Sequence, residues 1–323
     1  MRESEIIELF LGHLKRQGDL PLGDDAGALK FGKAWLVATN DMLVRKTDVP
    51  DIMTPEQVGF KAVTMNVSDV AAMGAKPIGF LFSLGIPSDS STGYLEGIAR
   101  GIEKALEFYE VPVLSADTNE ADDLIVDGIA LGTTERPITR SGAGSEETVC
   151  ITGDVGRALT GYLVWKNGLD VSKGTRRALY EKFLEPKARV KEGIKLSGIA
   201  TAAIDVSDGL SKELQTLAGM SGVGVEVLAE KLPITEEVFE VAEMLGLDPL
   251  TLALSSGEEF ELVFTLPKEL LGRLDFECTP IGRTFRGNGV YITNGEKRKE
   301  MPVLGWEHLS NRRDPGSSTP ITF

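Results

Sequence analysis

Histidine and cysteine are close to missing from this chain: 323 residues hold two of each. His13 and His308 leave histidine-rich metal centres and Ser-His-Asp triads almost no material, and both read as structural or solvated. Cys150 and Cys278 are too few for a disulfide framework, and neither stands in the Cys-x-x-Cys spacing of zinc or redox motifs. A reducing cytoplasm is the compartment this predicts. Positive charge is also short, with 34 Lys and Arg against 49 Asp and Glu and a net charge of −15. Non-specific nucleic-acid binding rests on cations that neutralise phosphates, so nucleic acid and acidic lipid surfaces are excluded as partners. No apolar run approaches the roughly 18 residues of a membrane span. Met1-Arg2-Glu3-Ser4-Glu5 lacks the basic, then apolar, start of a signal peptide, which predicts a soluble, unprocessed chain. A P-loop is absent, and Gly222-Val223-Gly224 lacks the third glycine of a dinucleotide fingerprint.

What is present suits ordinary globular folding: 42% hydrophobic residues, 36 Gly and only 15 Pro. At roughly 100–200 residues per domain, the length predicts two domains. Leu9, Phe10 and Leu14 suggest a short amphipathic helix, and Trp35 to Thr39 a strand. Thr54-Pro55-Glu56-Gln57 predicts a helix start, running to about Gly74. Phe80, Phe82, Leu84 and Ile86 alternate as in a strand, and Tyr94 to Tyr109 recur at helical spacing. Two further strands, Val111–Leu114 and Leu124–Gly132, complete a mixed α/β first half. Turn formers concentrate between Thr134 and Glu147. The expected division is 1–138, 139–310 and a tail at 311–323. The second half repeats the alternation, with Ala203 to Ser207 as a strand leading into a helix from Asp208. Val67-Ser68-Asp69 and Val206-Ser207-Asp208 echo each other, as if each opened a helix.

Aspartate placement is the most informative feature. Gly23-Asp24-Asp25-Ala26-Gly27 is a glycine-bounded acidic turn, Thr39-Asn40-Asp41 ends a predicted strand, and Asn66-Val67-Ser68-Asp69 lies on a helix. Ala116-Asp117-Thr118 follows another strand, and Asp205-Val206-Ser207-Asp208 spans a strand-to-helix junction. Open α/β sheets bind ligands beyond the carboxyl ends of their strands, where Asp41, Asp117 and Asp208 fall on this reading. Converging carboxylates repel unless a cation intervenes, and Mg²⁺, which takes hard oxygen ligands, is the natural one. Each cluster alone also reads as a cap or Asx-turn, and for Asp24 that reading is preferred.

In order along the chain these clusters resemble the thiamine-monophosphate kinase family of the aminoimidazole ribonucleotide synthetase superfamily. The resemblance rests on Gly23 to Ala26, Thr39 to Val44, Lys61 to Pro77, Asp117-Thr118, Arg140 to Ala143, Ile204 to Leu210, Ser256 to Leu262 and Gly305-Trp306. It implies a two-domain α/β (α+β) fold whose N-terminal strands build a barrel shared by a homodimer. It also implies an ATP-dependent phosphorylation of thiamine monophosphate to thiamine diphosphate. On the matching positions, Asp25, Thr39, Asn40, Asp41, Asp69, Asp117 and Asp205 would hold several Mg²⁺ ions, with Asp208 at a further site. Ala116, Asp117, Arg140 and Ser207 would contact ATP. Glu259 and Trp306 would meet the thiamine moiety, and Asp48 stands where many members carry a substrate-contacting His. Ser115-Ala116 replaces the usual Gly-Gly, Ser256 a Gly, Glu259 an Asp and Asn40 a Thr or Ser. A related ATP-using synthase and a catalytically silent nucleotide- and metal-binding regulator are the alternative readings.

Overall fold

Two sheets organise the chain, one in each half, in a computed structural model that describes residues 5–6, 9–10, 12–14, 18–20 and 23–307. His308 and the expected tail at 311–323 lie outside the described residues. The first sheet has five strands: β1 (Gly27–Phe31), β2 (Ala34–Val44), β3 (Lys76–Ile86), β4 (Val113–Glu120) and β5 (Ile125–Thr134). Their spatial order is β1-β2-β5-β3-β4, with β3 and β4 parallel and the other pairs antiparallel. Helices α1 (Arg45–Asp48), α2 (Pro55–Ala72) and α3 (Thr92–Tyr109) come between the strands.

Local chemistry explains these elements. Thr54 and Gln57 close a reciprocal capping box at the start of α2, and Pro55 occupies the position where its missing N–H costs nothing. Along β2 the side chains alternate: Val37 and Leu43 are fully buried, and Thr39 and Asp41 share their face. Ala38, Asn40 and Met42 point to the opposite, exposed face. Helices α2 and α3 meet at backbone contact. A Cβ on Gly101 would lie 1.9 Å from the Glu56 carbonyl oxygen, and one on Gly59 would lie 2.1 Å from that of Ile98.

The second sheet has seven strands in the order β12-β11-β8-β10-β6-β9-β7. They are β6 (Thr148–Ile151), β7 (Ala202–Asp205), β8 (Gly224–Leu228), β9 (Leu262–Leu266), β10 (Thr279–Phe285), β11 (Val290–Thr293) and β12 (Arg298–Glu300). Around them lie α4 (Arg157–Lys166), α5 (Lys173–Leu184), α6 (Val190–Leu196), α7 (Leu210–Ser221), α8 (Glu236–Leu245) and α9 (Pro249–Ser255). The two halves share a core, because Phe183, Leu184 and Ala188 bury themselves with the residues of α2 and α3. Tyr109 Oη accepts a hydrogen bond from the Ala188 amide at 2.9 Å, and a Cβ on Gly193 would lie 2.2 Å from the Ala71 carbonyl oxygen. Helix α2 is therefore packed on the first sheet, on α3 and on the second half together.

The mixed two-domain α/β architecture is the expected one, with two corrections of detail. Val67-Ser68-Asp69 lies near the end of α2 and opens no helix, whereas Val206-Ser207-Asp208 does precede α7; the echo is one of sequence only. Asp41 and Asp117 lie inside β2 and β4, not at their ends, because both strands run on past the predicted stops. Within one chain the first sheet is open, with β1 and β4 at its edges, so a barrel needs strands from a second chain. No described helix is long and apolar enough to cross a membrane.

The α2–α3 crossing sets two effects against each other. Gly to Ala inside a helix gains about 1 kcal/mol of propensity, whereas overpacking against backbone costs roughly 1–3 kcal/mol or more. Gly101→Ala should therefore lower the urea midpoint, while Gly93→Ala, which meets open space on the same helix, should leave it unchanged or raise it.

Candidate active site

Three carboxylates from distant parts of the chain converge where the halves meet. Asp25 comes from the turn after Gly23, whose φ of 116° favours glycine; Asp69 from the last turns of α2; and Asp205 from the end of β7. One carboxylate oxygen from each lies within 4.8 Å of the others. Each keeps one local donor: Thr39 Oγ1 donates to Asp69 Oδ2 at 2.6 Å, Ser68 Oγ to Asp205 Oδ2 at 2.5 Å, and an Arg140 Nη to Asp25 Oδ1 at 2.8 Å. Asp25 Oδ2 and Asp205 Oδ1 are left buried with no partner. Burial, then the charges of Asp41, Asp205 and Asp25, push the Asp69 pKa well above the usual carboxylate range. Burial and the Asp25 charge push up Asp205 in the same way. Unpaired buried oxygens in an all-oxygen donor set are what a hard divalent cation such as Mg²⁺ satisfies.

Asn66 ties the strand to the helix in this site. Its Oδ1 accepts from the Asp41 amide at 2.9 Å and its Nδ2 donates to the Asp41 carbonyl at 3.3 Å, which sets the height of Asp41 beside Asp69. Asp24 does not cap its own turn: its carboxylate accepts at 2.7 Å from the Arg140 amide, 116 residues away, and so ties the turn to the 139–143 segment. Arg140 also donates to the Gly23 carbonyl at 3.0 Å. Burial lowers the Arg140 pKa, but the charge and hydrogen bond of Asp25 raise it by more, so the guanidinium stays charged. Glu213 was not foreseen. It is buried in the first turn of α7, accepts at 3.1 Å from the Asp208 amide, and is pushed up to about 8 by burial and the Asp208 charge. Glutamate is an ordinary helix former, so nothing in the local sequence separates this one from a solvated one. Ser68 and Asn66, by contrast, lay inside a cluster already noted.

The remaining expected residues divide. Asp208 pairs with Lys212, and its carbonyl accepts from the Trp306 amide at 2.9 Å, so the segment after β12 brings Trp306, 40% exposed, beside this junction. The Ser207 carbonyl accepts from the Glu258 amide at 2.7 Å, which leans the 256–260 loop on the same junction. Glu259 departs from its expected place against substrate. It is 0% exposed, and Oε1 caps the start of α4 by accepting from the Gly156 and Ala158 amides at 2.8 and 3.1 Å. Asp48 is half-buried and its carboxylate accepts from the Val44 amide at 2.7 Å. Asn40 points to the sheet face away from Thr39 and Asp41, because strand side chains alternate, so its amide cannot join them. Ala116 and Asp117 are exposed on the edge strand β4. The register runs Asp41 to Gly128 to Phe82 to Ala116. At about 4.8 Å per strand, roughly 14 Å separate the two positions. Within one chain, Asp117 does not reach the three-carboxylate cluster.

Known proteins resemble this chain in sequence and in fold. Residues 23–134 match the AIR synthase related protein N-terminal domain, and residues 145–293 match the C-terminal domain of that family. A thiamine-monophosphate kinase of Pyrococcus abyssi is 52% identical over 97% of this chain and 98% of its own length. Another from Methanocaldococcus jannaschii is 35% identical over 83% of this chain and 87% of its own. A solved structure described as AaThiL complexed with AMPPCP and TMP superposes with a TM-score of 0.88 at 32% identity, covering 95% of this chain and 97% of the other. Hydrogenase maturation protein HypE, at 20% identity and a TM-score of 0.71, shares the fold. On matches that cover nearly the whole chain, the protein belongs to the AIR synthase related family and, within it, to the thiamine-monophosphate kinases.

Proposed function

We propose that this protein phosphorylates thiamine monophosphate with ATP, giving thiamine diphosphate and ADP by direct in-line transfer. The observation that carries the reading is the Asp25, Asp69 and Asp205 cluster, with two buried oxygens lacking any partner, in a chain 52% identical to a thiamine-monophosphate kinase. Asp25, Asp69 and Asp205 would hold Mg²⁺, with Thr39 orienting Asp69 and with Asp41 and Asp208 at the margins. Bound there, Mg²⁺ supplies charge neutralisation on phosphate oxygens. The acceptor is a phosphate whose second pKa is near 6, already largely ionised at neutral pH, so no general base is needed. This suits a chain with two histidines, of which His13 is exposed. Positioning and charge neutralisation dominate phosphoryl transfer. Arg140 supplies a permanent charge beside Asp25 and is the candidate for the ATP phosphates, with Ser207, two residues after Asp205, a second candidate. Trp306 is the candidate for stacking on the cationic thiazolium.

Asp117 and Ala116 enter the proposal through a second chain. A homodimer that closes the open sheet into a barrel would set the β4 edge of one chain beside the strands that carry Asp41 in the other. Asp117 would then serve its partner's site. A cytoplasmic location and a division between residues 138 and 139 belong to the same reading.

Three outcomes test it. Asp69→Asn should cut ATP-dependent thiamine diphosphate formation at ordinary Mg²⁺ by roughly 100-fold or more, since metal stabilisation is worth several kcal/mol. The same change should raise the metal-free melting temperature by removing like-charge repulsion; full turnover would sink the shared-metal scheme. Mixing inactive Asp69→Asn and Asp117→Asn chains should regain activity through heterodimers with one intact site, whereas two residues acting within one chain would give none. Folded-state pKa values raised at Asp69 and Asp205 make the contribution of these two groups to metal-free stability greatest below about pH 4, and it is lost as pH rises through the raised values. The melting-temperature gain from Mg²⁺ should accordingly be larger at alkaline than at acid pH.

A further inference from the structure

The chain's two cysteines, distant in sequence, meet in space. Cys150 is fully buried on β6, and Cys278 lies half-buried just ahead of β10. The β6–β10 register pairs Pro280 with Cys150 and Thr279 with Ile151, which puts Cys278 on the same sheet face as Cys150 and diagonal to it. Both belong to one packed cluster, Cys150 within it and Cys278 against its edge. They sit in an apolar cluster with Leu266, Phe264 and Leu196, where the Phe276 ring lies tilted 6.3 Å from that of Phe264. A buried thiol facing a partly exposed one is the arrangement of a resolving and an attacking sulfur.

We propose that Cys150 and Cys278 are a reversible redox pair that closes to an intramolecular disulfide and fastens the 267–278 segment onto β6. Cys278 is the sulfur that solvent reaches, whereas Cys150 is buried, so Cys278 is the first to react; burial and the neighbouring sulfur push the Cys150 thiol up, and contact with Cys150 lowers the Cys278 pKa. The oxidant is a peroxide. The Cys278 thiolate attacks one oxygen of hydrogen peroxide, the O–O bond breaks, and the hydroxide released takes up the proton that Cys278 gave up, leaving as water. Cys278 is then a sulfenic acid. The Cys150 thiol attacks that sulfur, the S–O bond breaks, and the hydroxyl leaves as a second water with the Cys150 proton. Two thiols have lost two electrons and one peroxide has gained them; a reducing dithiol reverses the step by exchange. A disulfide needs Cα atoms within about 7 Å. Cys278 precedes the first residue of β10, so the loop before the strand can supply the approach. Because Ala72 of α2 and Leu196 of α6 share the same cluster, the bond would stiffen the contact between the halves.

The test uses the full-length protein treated with hydrogen peroxide. The expected result is a monomer on a non-reducing gel, about 2 Da lighter by intact mass, with both thiols lost together and restored by a dithiol. Its melting temperature should rise by roughly 5 °C, since the bond closes a long loop. Cys278→Ser should abolish both changes, and Cys150→Ala should stop at a sulfenic acid on Cys278 that dimedone traps. Persistence of both thiols at doses that oxidise free cysteine, over-oxidation of Cys278 beside an intact Cys150 thiol, or cross-linked dimers would each overturn the proposal.

Discussion

Everything at the centre of this molecule answers to one constraint: like charges buried together. One oxygen from each of Asp25, Asp69 and Asp205 stands within 4.8 Å of the others, and among the described residues only Asp25 of the three is ion-paired, to Arg140. Such a cluster opposes folding, since burial and repulsion both disfavour the charged form. It persists because the surrounding structure over-determines it, with Thr39, Ser68 and Arg140 each holding one oxygen and leaving others free. Stability given up at a site in this way is a usual mark of function. The free oxygens are the part of the fold that protein groups do not complete.

Helix α2 is the beam that carries this strain. It supplies Asn66 to hold Asp41, Ser68 to hold Asp205 and Asp69 itself, so three consecutive faces of one turn reach a strand of the first sheet, a strand of the second and the cluster between. To do so it must be buried nearly all round, and the small residues at its contacts permit that. Glycines let α3 approach on one side and α6 on the other to distances that a single methyl group would block. Lys61, fully buried on the same helix, donates to the Asp48 carbonyl at 3.0 Å and pairs with Glu258, which adds a charged tie between the halves. A rigid beam locked at both ends keeps three carboxylates at a fixed spacing, and positioning is the main thing phosphoryl transfer asks of a protein.

The acidic surplus of the chain takes on a different meaning in this light. As a bulk property it speaks against polyanionic partners, yet part of it is concentrated at a site built for a cation. An anionic substrate can approach such a site once metal has offset the local charge. The scarcity of histidine fits as well, because an acceptor that is already ionised needs no proton removed.

Strands, helices and the order of the acidic motifs were legible in the sequence, because periodicity, caps and turn residues act over a few positions. The capping box at Thr54, the period-2 run of β3 and the turn at Asp24-Asp25 are of this kind. Failures came where the deciding contact is remote in sequence. Glu259 reads as a substrate residue until the start of α4 is found against it, and Glu213 reads as a solvated helix residue until α7 buries it. Asn40 sits between two site residues, but the pleat turns it to the other face, and only the length of β2 shows that. Asp117 belongs to a motif of the family, yet strand order sets it three strands away from Asp41. What the sequence determined by itself was the set of residues able to bind metal and their local backbone settings. Which of them meet was decided by tertiary structure, because repulsion between carboxylates acts through space and depends on burial, and neither can be read from neighbours along the chain.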